Sequence, residues 1–372
     1  MNNSSSPLKL PVYLELAQIT MGLVALFFIL YVGQDIIVPL IFATIFAILL
    51  NPIVNFLCNH GFNRIAAIGV AIFAGFILLG GLLFFIGAQF SMFSDSLPMF
   101  KKKFTSLSAE AIDWASQTFN LSKPKIQEWI QKAKSEGLKN GSTVITKTLG
   151  TMSNLFIMVF LLPVYIFLIL FYKPLLLEFI AMLFQKVKQS IVVEVLFETK
   201  TLIQSYLIGL LLEAVIIATL NSVGLLVIGV QYAILIGILG AMLNIIPYIG
   251  GLIAITIPVI MALAGDNPQS AVWVIALYLV VQFVDNNFIV PKIVASKVKV
   301  NALISIIVVL IGGALWGVAG MFLSIPITAI LKVIFDRIEA LKPFGFLIGD
   351  NQPDIGKIIF NFKAIHKKQK KE

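Results

Sequence analysis

One cysteine, Cys58, is all that the 372 residues contain, so no intrachain disulfide can form. Histidine is nearly as scarce, with His60 in a short polar loop and His366 in a basic tail. Neither a zinc centre of His and Cys ligands nor a histidine-activated nucleophile finds its residues within the apolar segments. No GxxxxGK[ST] loop is present, so no ATP-driven step is expected within the chain. The expectation is a protein that is not an enzyme, with no catalytic residue, metal or cofactor. Charge is thin as well. Charged residues make up 12% of the chain, about half the ~25% usual for soluble domains. That scarcity excludes both a disordered chain and an ordinary water-soluble one.

What replaces charge is apolar: 59% hydrophobic residues, 30 of them Phe, and a mean hydropathy of +1.00. Such a chain needs lipid for a solvent. The formal net charge of +9 does not point to nucleic acid. Part of it sits in Lys367-Lys368-Gln369-Lys370-Lys371, behind a membrane segment, where it reads as a positive-inside tail.

Residues 1–11 are polar. Val12 to Val32, Ile36 to Cys58 and Ile65 to Phe90 are apolar spans, each able to cross the ~30 Å hydrocarbon core, and residues 1–90 form an N-terminal membrane unit. Residues 91–150 hold nine lysines and five carboxylates and read as a water-exposed helical insert, with helical spacing at Ile126, Trp129, Ile130 and Ala133. In the unit 151–204, Met152 to Tyr172 is a fourth span. Residues 173–204 then mix Lys and Glu among aliphatics, as an interfacial amphipathic helix does. The unit 205–340 opens with a fifth span, Ser205 to Ile228, and 341–372 is a basic cytoplasmic tail.

Two stretches are too long for one span. Residues 231–263 are interrupted by Asn244-Ile245-Ile246-Pro247-Tyr248-Ile249-Gly250-Gly251, and 302–335 by Gly312-Gly313-Ala314-Leu315-Trp316-Gly317-Val318-Ala319-Gly320. Pro and paired Gly break helices locally. Each stretch is a tilted helix, two spans, or a hairpin that enters and leaves on one side. Basic residues decide between these. With the N-terminus in the cytoplasm, two hairpins separated by a span at 270–290 put Lys292, Lys297, Lys299 and the tail inside, and leave only the insert's lysines outside. The expected fold is an all-α polytopic membrane protein with about six full transmembrane helices and two re-entrant helical hairpins. Span five with hairpin one, and span 270–290 with hairpin two, run in opposite senses. This is the inverted repeat of a transport half.

Hairpin tips at membrane depth mark a cavity, because their free backbone groups need protein or water. Candidate substrate-binding residues are Asn244, Pro247, Gly250 and Gly251 at the first tip and Gly312, Gly313 and Gly317 at the second. Asp285, Asn286 and Asn287, near the end of span 270–290, offer a facing polar wall or a helix end wetted by headgroups. Glu213 is the one carboxylate well inside a span, and with Asp285 it is the candidate for ion coupling.

Three segments carry a family resemblance: Asn244 to Gly251, the run from Asp285 to Lys292 (Asp-Asn-Asn-Phe-Ile-Val-Pro-Lys), and the sixteen or so residues from Gly313 to Thr328. They resemble the autoinducer-2 exporter (AI-2E) family of permeases over nearly the whole chain. The resemblance implies a multi-pass transporter of the bacterial inner membrane with both termini cytoplasmic, a homopentamer, and two helical hairpins that hold substrate and move elevator-fashion. Many relatives carry Pro near the start of hairpin two, where this chain reads Val300-Asn301-Ala302-Leu303. The expected function is export of a small polar solute, such as an autoinducer-2-like signal or metabolite, with membrane lipid as a partner and no nucleic acid. Sodium/proton antiport is the alternative, since family members differ in cargo. A non-transporting membrane scaffold presenting the insert is a third reading.

Overall fold

The computed structural model describes residues 11–119, 160–184, 189–247, 250–265, 267–295 and 298–351. Among them the regular structure is helical, with one isolated bridge between Val300 and Gly349. The helices are α1 (Val12–Val32), α2 (Gln34–Asn59), α3 (Arg64–Phe119), α4 (Phe160–Phe171), α5 (Lys173–Leu183), α6 (Gln189–Ile228), α7 (Ala233–Asn244), α8 (Gly250–Ala264), α9 (Ser270–Val284), α10 (Ala302–Arg337) and α11 (Lys342–Ile348). Among the described residues, five stretches are long and apolar enough to cross a membrane: Gln34–Asn59, Arg64–Ala88, Gln189–Ile228, Ser270–Val294 and Ala302–Arg337. The pair α4 and α5, bent by 66°, makes a sixth when counted as one span. Leu, Ile, Phe and Val side chains stand exposed along these helices, as lipid-facing surfaces do.

Hydropathy marks where lipid ends, which need not be where a helix ends. The helix α3 runs unbroken past residue 90 and through Pro98 into the segment read as an insert. The helix expected near Ile126 lies outside the described residues. Likewise α6 passes straight through the boundary at 204 and 205. No Gly or Pro lies between Gln189 and Ile208 to stop it, so the amphipathic part and the apolar span form one rod of 40 residues.

The stretch 231–263 breaks as its Pro and Gly predict. It forms α7 and α8, which pack against each other. At 12 residues, α7 is ~18 Å long and falls short of a ~30 Å core. Small residues hold this pair to its neighbours. At Gly237 a Cβ would stand 2.6 Å from the Ser222 nitrogen of α6, so the missing side chain lets α7 lie directly against Ser222. The shared core of α6, α7, α8 and α9 includes Leu225, Ile236, Ala254, Val274 and Tyr278.

The stretch 302–335 also reverses. Gly317 has φ 61°, in the left-handed region, and Trp316 departs from helical angles beside it. In a straight helix Gly312 and Gly320 would be ~12 Å apart. Here a Cβ on Gly320 would sit 2.7 Å from the Gly312 carbonyl carbon, so the two arms of α10 touch backbone to backbone. The Trp316 indole donates a 3.0 Å hydrogen bond to the Leu30 carbonyl of α1, tying this turn to the N-terminal helix. Asn301 caps α10. Its Oδ1 accepts from the Ile304 N–H at 2.9 Å, and its Nδ2 donates to the Leu347, Ile348 and Gly349 carbonyls at the end of α11.

The backbone contact at the reversal predicts a graded response to size. Gly312→Val should separate the α10 arms and lower the melting temperature of the purified protein by several degrees. Gly22→Val, at a position with nothing within 4 Å, should leave it unchanged.

Candidate functional site

Three elements converge on one pair of acids. The helix α7 ends at Asn244, so that side chain sits at the break between α7 and α8. Beyond Val284, α9 widens into a π-helix over Asp285–Ala295. This wider winding, often found at functional positions, turns Asp285, Ile289 and Val294 inward. Close approach to α6 is possible because Gly209 has no side chain. A Cβ there would stand 2.8 Å from the Ile293 carbonyl oxygen. The third element, α6, contributes Glu213.

Glu213 and Asp285 are 7% and 2% exposed, and Asn244 lies between them. One amide nitrogen, Asn244 Nδ2, donates to Glu213 Oε1 at 3.3 Å and to Asp285 Oδ2 at 2.9 Å. Its two N–H bonds are thereby spent on two carboxylates. The Asn244 carbonyl faces Gly251, where a Cβ would be 3.3 Å away and would collide with Gln282. Both hairpin-tip glycines are thus positions of close approach, since a Cβ on Gly250 would run into the Leu243 carbonyl.

Three buried polar atoms around this bridge have no hydrogen-bond partner among the described residues: Asp285 Oδ1, Asn221 Oδ1 and the Tyr278 hydroxyl. They border a small void of about 10 Å³. Beside it opens a cavity of about 690 Å³, lined by Glu213, Asn244, Pro247, Gly251, Asp285 and Asn286 among others. That volume falls in the usual range of small-molecule sites, ~300–1,000 Å³. Ser305 and Ile325 of α10 and Asp350, just beyond α11, line its other side.

The predicted residues therefore divide. Asn244, Pro247, Gly251, Asp285, Asn286 and Glu213 meet at one cavity, and Gly250 packs directly behind it. Asn287 is exposed and donates to its own helix at the Phe283 carbonyl. Gly312, Gly313 and Gly317 lie at the α10 reversal and do not line the cavity. Residues not singled out for the site, Tyr206, Tyr278 and Gln282, belong to two polar stripes. Tyr278, Gln282 and Asp285 follow i, i+4, i+7 on α9, and Tyr206, Glu213 and Asn221 recur at 7 and 8 residues on α6, a helical spacing legible in the chain itself. No comparable signal announces Asp350.

Known proteins align with this chain over most of its length. The model of a family described as "AI-2E family transporter" matches residues 21–340. "Putative transport protein YhhT" of Escherichia coli (strain K12) is 27% identical over 327 residues, covering 87% of this chain and 91% of that protein. "AI-2 transport protein TqsA" of the same strain is 24% identical over 320 residues, covering 86% and 90%.

If one amide holds both acids, Asn244→Leu should destabilise the protein by about 1–3 kcal/mol, because both carboxylates lose their donor. Asn287→Leu should change stability by less than about 0.5 kcal/mol. Thermal unfolding of the two purified variants checks the contrast.

Proposed function

Because the chain belongs to the AI-2E transporter family, we propose that it is a secondary transporter of the bacterial inner membrane. It exports a small polar solute through the cavity beside Asn244, with Glu213 and Asp285 carrying the coupling ion. One observation carries this reading: a hairpin-tip amide bridges two buried carboxylates at the wall of a solute-sized cavity. Two acids sharing one donor repel each other when both are ionised, and a proton or sodium ion between them relieves that repulsion. Its arrival or departure changes what Asn244 holds, and Asn244 stands at the tip of α7–α8. Ion occupancy is thereby coupled to the position of the hairpin.

The break between α7 and α8 and the reversal at Trp316–Gly317 serve as two re-entrant hairpins. With the spans preceding them they form an inverted repeat, and they move as an elevator against α2, α3 and α4. The polar lining of Asn244, Gln282, Asn286 and Ser305 suits a hydroxyl-rich solute, in keeping with the autoinducer-2 transport named for the TqsA relative. Homopentameric assembly and a role in quorum sensing belong to the same proposal. Sodium/proton antiport without a solute is the second reading, favoured by the carboxylate pair on its own.

Vesicles containing the purified protein separate the two. Under imposed sodium or proton gradients, Glu213→Gln and Asp285→Asn should each abolish ion-coupled flux. A wild-type protein that moves protons against sodium but accumulates no polyol-like solute is an antiporter. Normal ion-coupled flux in both variants would remove the carboxylates from the mechanism. Gly251→Leu, which drives a side chain into Gln282, should block solute flux more than tenfold while leaving the protein assembled.

A further inference from the structure

The structure holds a second cavity, remote from the carboxylates and opposite to them in charge. It lies where the C-terminal half of α2, the end of α4, α5 and the first turns of α6 come together. Its main chamber has a volume of about 580 Å³, and apolar side chains make most of its wall, among them Ile48, Leu176, Leu177, Val193, Leu196 and Phe197. Lys173 and Lys200 stand at its polar edge. Lys173 also lines an adjoining polar chamber of about 450 Å³, with Asn51, Asn55, Cys58 and Arg64.

The cations here have carbonyl and amide partners. Lys173 Nζ donates to Asn51 Oδ1 at 3.0 Å, and Arg64 Nη2 donates to the Leu170 carbonyl at 2.7 Å. Lys200 and Arg64 are the charges that bear on Lys173. Among the described residues no carboxylate forms an ion pair with any of the three. The nearby acids of α6 are engaged elsewhere: Glu194 and Glu198 both pair with Arg337, at 2.8 and 2.6 Å. Two lysines at an apolar chamber and Arg64 in the adjoining one, with no carboxylate partner among the described residues, match a molecule with an anionic head and hydrocarbon chains.

Placement identifies the source of that molecule. The chamber sits at helix ends on one side of the bundle. The bend between α4 and α5 lays α5 across it, and none of the side chains of α5 is buried in the protein. Leu175, Phe179, Met182 and Leu183 stand exposed on α5, as an interfacial helix in lipid would present them. We propose that this double cavity is a binding site for an anionic phospholipid. Lys173, Lys200 and Arg64 neutralise the phosphate, and the acyl chains fill the space beneath α5 and α6. A basic recess between membrane helices suits such headgroups on electrostatic grounds. The commitment is to a lipid and not to free phosphate, because most of the cavity wall offers hydrocarbon and no donor.

The test is lipid retention by the purified full-length protein, read by native mass spectrometry during titration with phosphatidylglycerol or phosphatidylcholine of matched chains. Wild-type protein should keep phosphatidylglycerol at least about tenfold better than phosphatidylcholine. The double variant Lys173→Gln, Lys200→Gln should lose that preference. Leu196→Trp, which fills the apolar chamber and spares the cations, should weaken phosphatidylglycerol retention about as much. Glycerol phosphate in excess should not displace the lipid. Equal retention of the two lipids by wild-type protein overturns the proposal without reference to any variant. So does unchanged preference in the double variant, or displacement by glycerol phosphate. Efficient disulfide cross-linking of two copies through Leu196→Cys, with lipid excluded, would give the chamber to a second copy and overturn it as well. None of these outcomes depends on what the carboxylate cavity transports.

Discussion

A helix that stops inside a membrane leaves its last carbonyls and the next helix's first N–H groups without partners. Any polar side chain at that point must also be satisfied from within the protein. At the break between α7 and α8 the polar side chain is Asn244, and α6 and the π-helical end of α9 satisfy it with one carboxylate each. The rest of the local architecture follows from bringing those partners into reach. Gly237 lets α7 approach the backbone of α6, and Gly251 makes room for Gln282 beside the amide. The π-helical stretch directs Asp285 into the protein. Gly240, Gly251 and Ala254 border the void beside the bridge, small residues that allow polar atoms to come within bonding distance at little cost in volume.

The two reversals solve the same length problem in different ways. The first uses Pro247 and a loop, and its tip faces the solute-sized cavity. The second uses one left-handed glycine, Gly317, and a contact of bare backbone between Gly312 and Gly320. Its tip faces α1 through the Trp316 indole. What α10 gives the cavity comes from its arms, at Ser305 and Ile325. The arms are anchored in turn where Asn301 gathers the carbonyls at the end of α11.

Much of this was legible in the chain. Pro247 with Gly250-Gly251, and the glycine run from Gly312 to Gly320, mark both reversals, because their effect on helices is local. Glu213 and Asp285 stand out because an ionisable group among aliphatics is costly in lipid. That α3 and α6 run on past residues 90 and 204 was not legible, since hydropathy changes there while nothing in the backbone chemistry stops the helix. The separation of Gly312, Gly313 and Gly317 from the cavity was not legible either. Which way a hairpin tip faces depends on contacts hundreds of residues away, here between Trp316 and Leu30. Tyr278 and Tyr206 are legible from helical spacing, as polar residues that recur on the faces carrying Asp285 and Glu213.

The continuity of α6 has a mechanical meaning. Lys200, at the edge of the apolar chamber, and Glu213, at the acid pair, are separated by thirteen residues of one helix with no proline between them, ~20 Å along its axis. A rod of this kind has no joint at which displacement can be absorbed. Whatever tilts it at the chamber beneath α5 also tilts it at the acid pair, so the two sites are geared to a single shaft.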